Sequence, residues 1–77
     1  MLRIWGRTNS VNVQKVMWAV AELALPHERR DAGGAFGETD SDAYARLDPN
    51  RRIPVLEDGA TVVWESNAIV RYLAARY

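Results

Sequence analysis

Apolar residues recur along the chain with two different spacings, and these spacings predict alternating strands and helices. The apolar run Leu2 to Trp5 ends at Gly6 and is typical of a buried strand. The polar cluster Thr8-Asn9-Ser10 then offers N-cap residues for a helix that should end before Pro26. The apolar positions of that helix recur at helical spacing: Val13, Val16, Met17, Val20 and Ala24.

The middle of the chain is more polar and predicts weaker elements. His27 to Asp31 is polar enough for a strand at the edge of a sheet. Ala32 to Glu38 holds three glycines and predicts a loop. A short helix should follow over Thr39 to Leu47, opened by Thr39 or Asp40. Asp48-Pro49-Asn50 then predicts a turn.

The last third of the chain predicts a hairpin and a helix. Asp58-Gly59 separates the apolar runs Ile53 to Glu57 and Ala60 to Trp64, which is a strong hairpin signal. Ser66 can cap the final helix. The residues expected along one side of that helix are Ala68, Ile69, Tyr72, Leu73 and Arg76.

The predicted order is β-α-β-α-β-β-α, an α/β fold. The first β-α-β unit should be parallel and right-handed, and the hairpin adds two antiparallel strands. The result is a mixed four-stranded sheet with helices on both faces. We expect Trp5, Trp18 and Trp64 in the core or half-buried, because so small a domain has few other large apolar side chains.

Length and charge restrict the classes of partner. Seventy-seven residues suffice for one small domain, and 48% hydrophobic and 26% charged residues make disorder improbable. Ten basic and ten acidic residues cancel. Because no basic field is available to hold a phosphate backbone, we expect no nucleic-acid partner. A net charge near zero also causes little electrostatic repulsion, so association with a protein partner is tolerated.

Cysteine and histidine content restricts the chemistry further. The absence of cysteine excludes disulfides, an internal dithiol centre and thiolate metal sites. His27 alone cannot build a zinc site, so we expect no metal. The apolar runs are far shorter than a membrane span, and the N-terminus has no signal-peptide apolar region. A cytoplasmic chain without membrane contact is expected.

Polar groups at two helix starts are candidates for ligand binding. Ser10 and the pair Glu65-Ser66 each follow a predicted strand directly. A helix N-terminus offers free amide groups and partial positive charge, which suit an anion. Ser10 has no base to make it a nucleophile, so it is better suited to donate a hydrogen bond. Judged by position alone, Ser10 and Ser66 are more simply interpreted as N-caps. Glu65 is then a negative charge that interacts favourably with the helix dipole.

Ile53-Pro54 and its neighbours form a third candidate position. Proline at the start of an apolar strand removes a ladder donor, and a cis bond would turn the backbone of Ile53 toward a ligand. An ordinary trans proline at an edge is the alternative. Arg51 and Arg52 could hold a carboxylate or could simply be solvated. Asn12, near Ser10, could donate to the same ligand or face solvent.

Together these segments resemble the N-terminal domain of the cytosolic glutathione transferases. The resemblance rests on Ser10 at the first helix, Asp48 to Leu56 (DPNRRIPVL) and Glu65 to Leu73 (ESNAIVRYL), in the family's order and spacing. It covers essentially all 77 residues. It is closest to the bacterial theta-like group, which uses serine rather than tyrosine at the first helix.

The resemblance implies a thioredoxin-like fold and a site for glutathione as co-substrate. Ser10 would match the hydroxyl that stabilises the glutathione thiolate, and Asn12 the asparagine that assists or replaces it in some bacterial members. Ile53, before an expected cis Pro54, would pair with the cysteinyl part. The groups expected at the two ends of glutathione are Arg52 at the glycyl carboxylate, Ser66 at the γ-glutamyl carboxylate and Glu65 at the γ-glutamyl amino group.

The resemblance also sets expectations for the whole protein. Residues 1–77 would be the glutathione-binding domain, and the family's C-terminal all-helical domain would be missing from this chain. The 77 residues alone would then be weakly active or inactive, and a face normally covered would promote self-association. In the full protein we expect conjugation of an electrophilic small molecule by a homodimer. A glutathione-dependent disulfide reductase and a non-catalytic docking or dimerisation module remain the alternatives.

Overall fold

The computed structural model describes residues 2–34, 37, 39 and 41–77, and these contain three helices and four strands. The order confirms the predicted β-α-β-α-β-β-α arrangement. The elements are β1 (Leu2–Trp5), α1 (Val11–Glu22), β2 (His27–Arg30), α2 (Asp42–Leu47), β3 (Val55–Asp58), β4 (Thr61–Trp64) and α3 (Ser66–Arg76).

The strands form one mixed sheet with the order β2-β1-β3-β4. β1 pairs in parallel with β2, with Leu2 opposite His27, and antiparallel with β3, with Ile4 opposite Leu56. β3 and β4 form the antiparallel hairpin expected around Asp58-Gly59. β2 lies at an edge, as its polar sequence predicted, and the central position of β1 places its carboxyl end in the middle of the sheet.

Each face of the sheet has its own apolar core, because neighbouring strand residues point to opposite sides. Leu56 packs on one face with α1 and α3, while Val55 packs on the other with Tyr44 of α2. The buried residues of the first core are Leu2, Ile4, Val16, Val20, Leu56, Ile69 and Leu73. The buried residues of the second are Ala32, Tyr44 and Val55.

Two helices begin at caps that differ from the predicted ones. Ser41 caps α2 by accepting a hydrogen bond from the Tyr44 amide at 3.0 Å, so Thr39 does not open it. Asp40, the other predicted cap, lies outside the described residues, as do Ala35, Phe36 and Glu38 of the predicted loop. Glu65 caps α3 through the Asn67 amide at 2.7 Å, which makes Ser66 the first helical residue. The first shift arises where Thr39, Asp40 and Ser41 are all competent caps, whereas the second places a glutamate, which is not a preferred N-cap residue, before the serine.

The tryptophans are less buried than expected. Trp5 is half-buried, edge-on to Tyr44 with ring centroids 6.1 Å apart, and its indole N–H donates to Glu57. Trp18 is 69% exposed and Trp64 is 44% exposed, which corrects the prediction that they are core or half-buried residues. Trp18 lies two residues from Val16, about 200° around α1, and therefore faces away from the sheet.

No helix in the described part of the chain is both long and apolar enough to cross a membrane.

Candidate functional site

Ser10 is the N-cap of α1, in the loop that follows the central strand. Its backbone is extended, with φ −91° and ψ 129°, and its carbonyl accepts the first helical hydrogen bond from Gln14 at 2.9 Å. Its Oγ accepts from the Val13 amide at 3.5 Å, a long capping bond. The side chain is half-buried beside the free amide groups of the first turn. This position suits binding of an anion.

Ser66 connects the start of α3 to the start of α1. The side chain of Ser66 is almost inaccessible, since the residue is only 6% exposed. Its hydroxyl lies 3.4 Å from Asn12 Oδ1 in α1 and 3.4 Å from Glu65 Oε2. Glu65 itself has a left-handed backbone, with φ +77°. Two helix N-termini therefore meet at this point, with a carboxylate, an amide and a hydroxyl between them.

The third part of the site is the segment before β3. The Ile53–Pro54 peptide bond is cis, with Ile53 half-buried and Pro54 buried. The predicted strand over Ile53 to Glu57 thus begins two residues later, at Val55. Proline cannot donate to the ladder, which is consistent with this late start. Gly33 packs tightly here: a Cβ at position 33 would lie 2.9 Å from Ile53 Cδ1.

Asp48 and Tyr44 hold the backbone that leads to Ile53. The Asp48 carboxylate is 2% exposed and accepts hydrogen bonds from the amides of Asn50 at 2.9 Å and Arg52 at 3.0 Å. The Tyr44 hydroxyl donates to the Arg52 carbonyl. Burial, with the nearby Asp48 charge, raises the pKa of the Tyr44 phenol far above its ordinary value. Tyr44 therefore stays a neutral donor at physiological pH.

Two adjoining cavities bring the predicted site residues together. One, of about 250 Å³, is lined by Asn12, Arg52, Ile53, Pro54, Glu65 and Ser66. The other, of about 330 Å³, contains Ser10 and shares Asn12, Arg52 and Ile53 with the first. All seven residues predicted as catalytic or glutathione-binding therefore border one continuous region.

Sequence reasoning missed several residues in these linings. Lys15 and Asn67 line the first cavity, and the Lys15 ammonium donates to Asn67 Oδ1 at 3.4 Å. Arg7 lines the second cavity. Asp48 was interpreted only as a turn residue, although an Asp before Pro-Asn is a signal for side chain to backbone bonding. Lys15 and Arg7 carried no such signal, because an isolated basic residue is usually solvated.

The first cavity carries charges of both signs. Lys15 and Arg52 supply positive charge, and Glu65 and Asp48 supply negative charge. Such a lining suits a zwitterionic ligand with separate carboxylate and amino groups. Among the residues described, no group of His, Cys, Asp or Glu side chains could hold a metal ion.

A larger cavity, of about 420 Å³, lies between the exposed sides of α1 and α3 and shares Lys15 and Asn67 with the first cavity. Trp18, Ala19 and Val70 line it, together with Lys15 and Arg71. Neither Ser10 nor Ser66 borders this groove. Its surface is mostly apolar, so it offers an area for packing rather than groups for binding an anion.

Comparison with known proteins assigns the family. The model of the glutathione S-transferase N-terminal domain matches residues 1–75. The glutathione S-transferase GstB of Escherichia coli is 47% identical over 79 residues, which cover 100% of this chain and 38% of GstB. Glutathione S-transferase 1 of Schizosaccharomyces pombe is 36% identical, over 96% of this chain and 34% of the yeast protein. The chain thus spans little more than a third of these relatives.

Solved structures give the same result for the fold. A theta-class glutathione S-transferase from Xanthomonas axonopodis pv. citri, crystallised with glutathione bound, has a TM-score of 0.97 and 54% identity. That match covers 99% of this chain and 37% of the other. The epsilon-class enzyme of the housefly, Musca domestica, has a TM-score of 0.95 at 28% identity, over 100% and 35% of the two chains. The thioredoxin-like fold is confirmed, and this chain belongs to the glutathione S-transferase N-terminal domain family.

Proposed function

We propose that this domain binds glutathione and holds its thiol as a thiolate for attack on an electrophile. The observation that carries the proposal is the meeting of two helix N-termini beside Ile53, joined by the contact of Asn12 with Ser66 at 3.4 Å. Both helix ends favour negative charge, and a tripeptide with two carboxylates and a thiolate carries three such charges. The Xanthomonas relative with glutathione bound supports this choice of ligand.

The first cavity suits the γ-glutamyl end of glutathione. The backbone amides of Ser66 and of the first turn of α3 would hold the γ-glutamyl carboxylate, because the Ser66 hydroxyl proton is donated to Asn12, and Glu65 would accept from the amino group. The backbone of Ile53 would pair with the cysteinyl residue. Arg52, which borders both cavities, would hold the glycyl carboxylate. This orientation directs the thiol toward Ser10.

Ser10 would then stabilise the thiolate. Lowering a thiol pKa by two units requires about 2.7 kcal/mol of preferential stabilisation. A charge-assisted hydrogen bond contributes about 1.5–3 kcal/mol, and a helix N-terminus adds up to about 1 kcal/mol. Ser10 at the end of α1 can therefore supply the required amount. Asn12 would assist through its amide group, whose oxygen already accepts from Ser66.

Further proposals concern the whole protein. The chain covers 38% of the length of GstB, and we infer that an all-helical domain completes the pocket for the electrophile. We also propose that the enzyme is a cytoplasmic homodimer that conjugates electrophilic small molecules. In this reaction the glutathione sulfur would form the new bond to the electrophilic atom.

A glutathione titration followed by backbone amide NMR tests the binding proposal. We expect saturable shifts at Ser10, Ile53 and Ser66, with the thiol pKa of bound glutathione lowered in a parallel ultraviolet titration of the thiolate. Gly59, in the hairpin turn and outside the linings of both ligand cavities, serves as a control position and should not shift. A folded spectrum without shifts at millimolar glutathione would contradict binding by this domain. Binding without a lowered thiol pKa would favour a docking module instead.

A further inference from the structure

The second cavity has an unusual concentration of positive charge. Arg7, Arg51 and Arg52 line it together with Ser10, and none of its described lining residues carries a carboxylate. We refer to this space of about 330 Å³ as the arginine cavity. Its charge contrasts with the mixed lining of the neighbouring cavity and with the zero net charge of the chain.

Four arginines outside this cavity form ion pairs with described carboxylates, whereas the cavity arginines, like Arg46 and Arg71, form none with those carboxylates. Ion pairs hold the guanidinium groups of Arg3, Arg29, Arg30 and Arg76. No described carboxylate lies within ion-pairing distance of Arg7, Arg51 or Arg52. The Arg51 guanidinium is held instead by the carbonyls of Thr39 and Ser41, each at 3.3 Å. Neutral carbonyls position that guanidinium, and none of the carboxylates in the described part of the chain neutralises its charge.

Arg7 lines this cavity, and the proposed glutathione contacts assign no group of the tripeptide to it. It lies in the turn directly before Ser10, whose amide donates to the Arg7 carbonyl at 3.4 Å. Its side chain lies against Gly34, where an added Cβ would come within 3.3 Å of Arg7 Cδ and Nε. The glycyl carboxylate needs a single cationic contact, for which Arg52 and its neighbour Arg51 are available. Arg7 borders the cavity beside Ser10, the residue proposed to hold the thiolate, and is therefore available to a group near the sulfur.

The following inference rests on the proposed function. We propose that Arg7 selects electrophiles that carry a carboxylate close to the carbon that the glutathione sulfur attacks. A thiolate and a carboxylate repel each other, and a guanidinium beside both offsets that repulsion. The sulfur would supply the electron pair of the new S–C bond, and the leaving group would depart with the pair of the broken bond. The carboxylate is unchanged and serves only as the group recognised.

The inference can be tested with two glutathione derivatives of nearly equal shape. S-carboxymethylglutathione places a carboxylate next to the sulfur, and S-carbamoylmethylglutathione places a neutral amide there. Both keep the glycyl and γ-glutamyl carboxylates, so their affinities differ only through the group on sulfur. Isothermal titration calorimetry should show the carboxymethyl derivative binding about tenfold more tightly, as expected for one charge-assisted contact.

Substitutions test whether Arg7 causes the preference for the carboxymethyl derivative. Arg7→Gln should reduce the ratio of the two affinities to about one, whereas Arg7→Lys, which keeps the charge, should retain part of it. Arg46→Gln removes the same charge from the exposed last turn of α2 and should leave the ratio unchanged. Arg52→Gln should weaken both derivatives equally, because the glycyl carboxylate is common to both.

Titration with glutathione itself, as a third ligand, distinguishes a failure of this inference from a failure of the proposed function. If glutathione binds but the two derivatives bind equally well, Arg7 does not select a carboxylate and the inference is wrong. A preference that survives in Arg7→Gln overturns it as well. If glutathione fails to bind a folded domain, the proposed function is wrong and this inference falls with it.

Discussion

A single hydroxyl group at position 10 can serve both the helix and a ligand. Ser10 Oγ accepts from the Val13 amide at 3.5 Å, and that bond uses one of its lone pairs. The hydroxyl proton stays available, since a serine has one donor and two acceptor positions. Capping of α1 and donation to a thiolate are therefore compatible roles for Ser10.

We expect Ser10→Ala to impair catalysis of the full-length enzyme more than glutathione binding. Loss of one charge-assisted hydrogen bond of about 1.5–3 kcal/mol predicts a decrease of about 10- to 100-fold in kcat/KM. The pKa of the bound thiol should rise by about one to two units. Steady-state kinetics and a thiolate absorbance titration measure the two effects.

Ser41→Ala is a matched control for this prediction, because Ser41 also caps a helix but lies outside the linings of both ligand cavities. It should cost about 1 kcal/mol of stability and leave the thiol pKa unchanged. If Ser10→Ala keeps full turnover while Asn12→Ala is strongly impaired, the stabilising donor is Asn12.

At the scale of elements, the hairpin turn is tied to the end of α3. Asp58 Oδ2 accepts from the hydroxyls of Tyr72 at 2.7 Å and Tyr77 at 2.8 Å, and Arg76 Nε lies 3.8 Å away. These hydrogen bonds lower the pKa of the Asp58 carboxyl below its ordinary value. The contact fixes the C-terminal half of the helix whose N-terminus carries Glu65 and Ser66.

This contact predicts a defined pH dependence of stability. Because folding lowers the pKa of Asp58, its stabilisation is present above the unfolded pKa of about 3.9 and is lost as the pH falls through the folded value. Tyr72→Phe should therefore destabilise the domain near neutrality and much less near pH 2. Urea unfolding across this range measures the difference. In an Asp58→Asn background the effect of Tyr72→Phe should no longer depend on pH; persistence of that dependence would exclude this contact as its cause.

Periodicity in the sequence predicted the elements well and their boundaries less well. β1 and the valine stripe of α1 follow from apolar spacing alone, because burial sets that spacing. The start of α3 was misplaced by one residue, since Ser66 is the preferred cap type but Glu65 accepts the capping bond from Asn67. Two of the missed site residues, Arg7 and Lys15, contact neighbours distant in sequence, which local patterns do not contain. Asp48 bonds to the nearby amides of Asn50 and Arg52, so a local signal existed but was interpreted only as a turn.

At the scale of the whole molecule, the exposed apolar groove between α1 and α3 is the main surface feature outside the site. Trp18 is 69% exposed there, and its indole N–H donates to Glu22 within the same helix. Val70 of α3 lines the same groove. A contiguous apolar surface of this kind promotes association in a chain without net charge.

We accordingly expect the 77-residue chain to self-associate as its concentration rises. Sedimentation velocity should show a rising weight-average mass for the unmodified chain and a smaller rise for Trp18→Lys. Trp64→Lys, which changes an exposed tryptophan on the edge strand β4, is the matched control. A clean monomer at high concentration, or an equal effect of both substitutions, would contradict association through this groove.

The contact between Asn12 and Ser66 joins residues 54 positions apart in the sequence. A ligand that bridges them binds only when the first and last thirds of the chain are folded against each other. No partly unfolded form can keep such a site, so each bound molecule draws the population toward the complete fold by mass action. Ligand binding and folding of the domain are thus thermodynamically linked, and a ligand bound at this site stabilises the complete fold.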